Sequence, residues 1–211
     1  PGAKVVFVAS PNNPTGNRLG EAELEALLDT GLLVVVDEAY VEFSDGSFCG
    51  LVPERENLVV LRTFSKWAGL AGLRAGYGMM PAALTDVLLH MKPPYTPNAA
   101  AEVAMLGSLD DREVLMERVG AIVQERDRMA GALGALEFLE VYPSQANFLL
   151  VRLAGPLDAR ETHEALAREG IFVRYFDTPL LQDCLRISVG LPEHTDRLVE
   201  ALQSIGGSRA A

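Results

Sequence analysis

The chain has 211 residues, 49% hydrophobic and 22% charged, with 18 Lys and Arg against 29 Asp and Glu and a formal net charge of −11. This apolar share supports a packed core and excludes a disordered chain, and the acidic balance argues against nucleic acid or an anionic membrane as partner, since both are polyanions. No run approaches the roughly 18 apolar residues of a membrane helix, and Cys49 and Cys184 form no motif, which excludes a disulfide framework and fits a reducing cytoplasm.

Val5 to Ala9 is a β-branched apolar run that ends in Ser10-Pro11-Asn12-Asn13-Pro14-Thr15-Gly16, a strand entering a turn-rich loop. Glu21 to Thr30 carries Leu24, Leu27 and Leu28 on one face and stops at Gly31, which predicts an amphipathic helix. Leu32 to Val36 predicts a second strand, ending at Asp37-Glu38-Ala39-Tyr40. Leu58 to Leu61 predicts a third, ending at Arg62-Thr63-Phe64-Ser65-Lys66, and Ala75 to Met80 a fourth. Strands alternating with helices and loops imply an α/β fold with a mainly parallel sheet under helical cover.

A proline-rich break, Lys92-Pro93-Pro94-Tyr95-Thr96-Pro97, interrupts the chain. Helices are expected at Ala99 to Leu106 and, at greater length, Asp111 to Leu133. Beyond them the pattern predicts a strand at Asn147 to Leu153, a helix at Leu157 to Glu169 after Pro156, and strands at Ile171 to Phe176 and Leu185 to Val189. A last helix is expected at Glu193 to Ile205 after Pro192, with a frayed tail from Gly206 to Ala211. This second half reads as a compact α+β unit. The expected division is 1–110, a connecting helix over 111–135, and a small domain over 136–211.

The chemistry gathers on loops that follow the apolar strands. In parallel α/β sheets the ligand crevice lies outside the carboxyl ends of the strands. There the sequence puts Asn13, then Asp37 and Tyr40, then Ser65 and Lys66, with Arg74 eight residues beyond the lysine. An amine able to form an imine, a carboxylate able to hold a cation and donors for a phosphate are what pyridoxal phosphate chemistry needs. By residue type alone each has an ordinary reading: Lys66 as a surface lysine, Asp37 as a helix cap, Tyr40 as a packing residue, Ser65 as a turn cap, Arg174 and Arg186 as strand arginines. Tyr95 and Asn147 suit a site or simple packing equally. His90, His163 and His194 show no metal-ligand spacing.

Taken together, Pro11 to Gly16, Asp37-Glu38-Ala39-Tyr40 and the run from Thr63 to Tyr77 resemble the fold-type I pyridoxal-phosphate aminotransferases of class I and II. Within these the likeness is nearest to the histidinol-phosphate aminotransferases. Pro143 to Phe148, Gly170 to Arg174 and Cys184 to Gly190 extend the resemblance over nearly all of the chain. It implies a three-layer aminotransferase fold, truncated at its N-terminus, with a small C-terminal α+β domain. It further implies pyridoxal 5'-phosphate as cofactor, an amino donor and a 2-oxo acid as substrates, and a homodimer at full length.

By that resemblance Lys66 would attach the cofactor and move the substrate's α-proton. Asp37 would keep the pyridine nitrogen protonated, and Tyr40 and Asn13 would donate to the cofactor's 3′-oxygen. Ser65 and Arg74 would bind its phosphate. Arg186 would hold a substrate carboxylate, Arg174 would face a substrate phosphate, and Asn13 would also border the substrate. A cis bond is expected at Asn13–Pro14. The reaction implied is amino transfer between histidinol phosphate and 2-oxoglutarate. Open beside it are an aromatic amino-acid aminotransferase, a phospho-amino-acid decarboxylase, a regulator built on the same domain, and a chain inactive by itself. Trp67 stands where the family pattern leads one to expect a different residue. The opening at Pro1, with no initiator Met and no signal pattern, reads as a protein entered partway. The family's phosphate-binding helix start and the ring that stacks on the pyridine have no counterpart here, and two unpaired sheet edges would follow.

Overall fold

The computed structural model describes residues 2–155 and 157–207, so Pro156 and the end of the tail lie outside the described residues. The chain divides into two compact units, Pro1–Asn13 with Asn17–Val119, and Pro14–Gly16 with Gly120–Ala211.

The first unit is built on a four-stranded sheet in the order β1-β2-β3-β4, with β1 at Val5–Ala9, β2 at Leu33–Asp37, β3 at Leu58–Thr63 and β4 at Gly76–Met79. The first three pair in parallel and β4 runs antiparallel to β3. The apolar runs become the middle of this sheet because parallel strands are covered on both faces. Val34, Val36, Leu58 and Val60 are fully buried against Leu24 and Leu28 of helix α1 (Glu21–Leu28) and against Phe48 and Val52. Strands β1 and β4 are the outer strands, and Phe7 of β1 is 73% exposed.

Helix α2 (Ala82–Met91) has no counterpart in the sequence reading. It is too apolar all round to show a one-sided stripe. Helix α3 (Ala99–Asp110) starts at Asn98, whose side chain accepts from the Ala101 N–H at 2.9 Å. Phe64, Ala75 and Ala101 form a small core beneath Trp67, Leu70, Leu73 and Met105. Helix α4 (Arg112–Gly134) contains the division between the units, at Val119 and Gly120.

The second unit holds an antiparallel sheet in the order β5-β6-β8-β7 and the helices α5 (Ala159–Arg168) and α6 (Pro192–Gly207). Strand β6 (Phe148–Leu153) and β8 (Cys184–Ser188) bury Leu149, Val151, Leu185 and Ile187 against Met129, Leu133, Leu166, Leu198 and Leu202. β5 (Leu139–Val141) is too short to be recognised from pattern.

Three expectations need correction. The strand expected at Ile171 to Phe176 shrinks to β7, Arg174–Tyr175. The Ile171 N–H donates to the Leu166 carbonyl at 2.9 Å and closes the end of α5, so it is lost to the sheet. The cis bonds among the described residues lie at Ser10–Pro11 and Thr96–Pro97, not at Asn13–Pro14. Helix α6 continues through Gly206 and Gly207, past the expected start of the tail.

Candidate active site

Register brings three loops to one edge of the first unit's sheet. Ala9, Asp37 and Leu61 are lateral neighbours at the carboxyl ends of β1, β2 and β3. The Ser10 N–H donates to the Asp37 carbonyl at 2.9 Å, tying the loop after β1 to the end of β2. The exposed Asp37 carboxylate accepts from the Ala39 N–H at 3.0 Å, which turns the chain out of the sheet. Tyr40 follows on that turn and Lys66 leaves the end of β3. The Lys66 ammonium lies 5.3 Å from the centre of the Tyr40 ring, within reach of a cation–π contact.

Ser65 and Arg74 meet at the same edge because β4 runs antiparallel to β3. Thr63 pairs with Gly76, and the Phe64 N–H donates to the Ala75 carbonyl at 3.1 Å, so Arg74 emerges beside Ser65. Arg74 has φ of 57°, the one left-handed non-glycine among the described residues, and its Nη1 donates to the Ala71 carbonyl at 3.0 Å. A side chain held in that region marks a place where the surroundings over-determine the backbone, as functional sites often do. Asn13 is exposed on the loop after β1.

Arg174 and Arg186 belong to the second unit, where they are lateral partners on β7 and β8. The Arg186 guanidinium lies 5.2 Å from the Phe148 ring centre and that of Arg174 lies 5.6 Å from the Phe176 ring centre.

Two residues of this edge carried no role in the sequence reading. Thr63 Oγ1 accepts from the Ser65 N–H at 3.0 Å and lies 2.8 Å from Ser65 Oγ and 3.0 Å from the Ala75 carbonyl. It fixes both the backbone and the hydroxyl of Ser65. Glu38, next to Asp37, is 1% exposed and bound on all sides. Its signal was strand alternation: if Asp37 faces out, Glu38 faces in. Among the described residues no cluster of His, Cys, Asp and Glu could hold a metal, and no helix is long and apolar enough to cross a membrane.

The donor set at this edge can hold a phosphorylated pyridine aldehyde. An amine, a carboxylate, a phenol, a hydroxyl and a guanidinium sit at the ends of adjacent strands, and each suits one group of that molecule.

The family of class I and II aminotransferases matches residues 1–202. The chain is 51% identical over 206 residues to the histidinol-phosphate aminotransferase of Roseiflexus castenholzii, covering 97% of this chain and 56% of that protein. The chain thus spans little more than half the length of that curated relative.

Among solved structures, the histidinol-phosphate aminotransferase of Clostridium acetobutylicum superposes with a TM-score of 0.89 at 24% identity, over 97% of this chain and 64% of that one. The L-threonine-O-3-phosphate decarboxylase of Porphyromonas gingivalis gives 0.85 at 25%, over 96% and 64%. The Sinorhizobium meliloti histidinol-phosphate aminotransferase, solved in complex with pyridoxal-5'-phosphate, gives 0.84 at 27%, over 96% and 58%. With the family matched over residues 1–202 of its 211, the chain belongs to the class I and II aminotransferases.

Proposed function

We propose that this chain carries the cofactor and substrate residues of a whole protein that transfers an amino group between histidinol phosphate and 2-oxoglutarate, with pyridoxal 5'-phosphate as cofactor. The observation that carries this reading is the placement of the Lys66 amine 5.3 Å from the Tyr40 ring, at the strand edge that also bears Asp37. The 51% identity to a histidinol-phosphate aminotransferase supports the choice of substrate.

What the cofactor supplies when bound is an electron sink next to the substrate's α-carbon. The chain's own residues do the rest. Asp37 holds a proton on the pyridine nitrogen, because a carboxylate beside that nitrogen raises its pKa. Tyr40 and Asn13 donate to the 3′-oxygen. Ser65, aimed by Thr63, and Arg74 bind the phosphate. The Lys66 amine anchors the cofactor and, once free, accepts the α-proton at Nζ. Arg186 holds the substrate carboxylate and Arg174 the phosphate, each through a planar donor fork.

We read the first unit as part of the cofactor domain and the second as the small domain. The whole protein is proposed to be a homodimer, and a cytoplasmic location is proposed on the acidic charge and the two free cysteines. Decarboxylation of a phosphorylated amino acid is the second reading, supported by the Porphyromonas neighbour. The test uses the whole protein with histidinol phosphate and 2-oxoglutarate. Glutamate should form, carbon dioxide should not, and Lys66→Ala should abolish turnover. Carbon dioxide release without glutamate would select the second reading. A Lys66→Ala variant as active as its parent would sink both.

A further inference from the structure

Asp37 and Glu38 divide the end of β2 between two tasks. Asp37 faces out toward the strand edge, while Glu38 faces in and is 1% exposed. The Glu38 N–H donates to the Leu61 carbonyl at 2.8 Å, carrying the β2–β3 ladder one residue past Asp37. Its carboxylate accepts from the Phe48 N–H at 2.6 Å, from Ser47 Oγ at 2.7 Å, and from Arg62 Nε at 3.0 Å. Arg62 Nη2 closes the fork on Glu38 Oε2 at 3.0 Å and donates to Ser47 Oγ at 2.6 Å. A charge this deep persists only where its oxygens are paired, and here both are.

The position of this pair gives it a task beyond packing. Glu38 lies between Asp37 and Tyr40, and Arg62 lies on β3 four residues before Lys66. Each strand end thus carries one inward anchor and one set of outward site residues, and the two anchors bind each other. We infer that Glu38 and Arg62 are positioning residues that lock the end of β2 to the end of β3, and so set Asp37 and Tyr40 against Lys66. The inference rests on the reading of those three residues as the cofactor cradle. The Arg55–Glu25 pair of the same unit, 2.9 Å apart with side chains 38% and 41% exposed, carries no site residue and serves as control.

The test needs only the 211-residue chain. Pyridoxal phosphate is added, the adducts are reduced with borohydride, and the label is mapped to Lys4, Lys66 and Lys92, the three lysines of the sequence. In parallel, acrylamide quenching of Trp67, the single tryptophan, is read without cofactor. The share of label on Lys66 relative to Lys92 is compared only among chains that circular dichroism shows to be folded, since unfolding would even out the labelling. Glu38→Gln and Arg62→Met should lower it about tenfold, the usual cost of losing an outer support, and should increase Trp67 quenching. Arg62→Lys should recover part of both, and Arg55→Met should change neither. A folded Glu38→Gln chain with the parent's Lys66 share and quenching overturns the inference. If that variant does not fold, Ser47→Ala, which removes only the shared hydroxyl, should lower the Lys66 share severalfold, and an unchanged share overturns the inference equally. Uniform labelling of all three lysines in the parent would count against the cofactor reading, and Trp67 quenching would then decide the inference alone.

Discussion

Arg174 and Arg186 stand directly opposite each other across the antiparallel pair of β7 and β8. Directly opposed residues of a strand pair share a face, and like charges there are destabilising by roughly 0.2–1 kcal/mol. An anion on that face would turn the cost into binding. Arg174→Thr should therefore stabilise the chain by about 0.5 kcal/mol in dilute buffer, and phosphate should raise the melting temperature of the parent but not of the variant. Calorimetry with and without phosphate checks both. A variant less stable than the parent would contradict the account.

Thr63 is the support beneath Ser65. Thr63→Val keeps the shape of the side chain but leaves the Ser65 N–H and Oγ without their Thr63 partner. Denaturant titration should show a loss of about 0.5–1.5 kcal/mol, the range for a hydrogen bond removed at a half-buried site. Retention of the cofactor by the whole protein should fall as well, because the Ser65 hydroxyl is no longer aimed.

Gly16 has φ of +76°, and a Cβ there would lie 2.7 Å from Ser144 Cβ. Ser144 has little room to yield, since its Oγ donates to the Phe148 carbonyl at 2.6 Å and accepts from the Ala146 N–H at 3.1 Å. The Gly16 carbonyl also accepts from the Gln145 N–H at 2.8 Å. Gly16→Ala should cost about 1–3 kcal/mol, read from the urea midpoint. Gly50→Ala, at a position with open space around it, is the comparison.

Glu42 borders a 420 Å³ cleft together with Arg62 and Trp67. Its carboxyl pKa is raised, chiefly by burial, with Glu38 adding to the effect and Arg62 opposing it. A carboxyl raised in the folded state binds more protons folded than unfolded, so its contribution to stability falls as pH climbs above the unfolded value of 4.5. Glu42→Gln should therefore be more stable than the parent at neutral pH, and the difference should shrink toward zero on acidification below 4.5. Melting curves at both ends of that range decide it.

Phe7 is 73% exposed on the outer strand β1. An open strand edge bearing an apolar side chain is a template for pairing with another chain. Phe7→Lys should lower self-association of the 211-residue chain, measured by sedimentation at increasing concentration, with no change in its melting temperature.

Much of the site is legible in the residues because strand ends in parallel sheets are where ligands bind. Apolar runs such as Leu32 to Val36 read as buried strands from their composition alone, and the polar residues that follow them stand at the strand ends. Less was legible where a residue's task depends on what lies across from it. Glu38 belongs to the same short motif as Asp37 and Tyr40, yet its partners Ser47, Phe48 and Arg62 lie 9 to 24 residues away. The fate of Ile171 turned on one hydrogen bond to Leu166, which removed it from a strand that its composition favoured.

By itself the sequence determined the apolar strands, the helix spacing and the order in which Asn13, Asp37, Tyr40, Ser65, Lys66 and Arg74 follow those strands. These follow from local periodicity and residue chemistry. Only the tertiary structure decided that Asp37 faces out while Glu38 pairs with Arg62 inside, and that Arg174 meets Arg186 face to face. Those facts depend on register between strands distant in sequence, and register is set by the packing of the whole sheet rather than by any one segment.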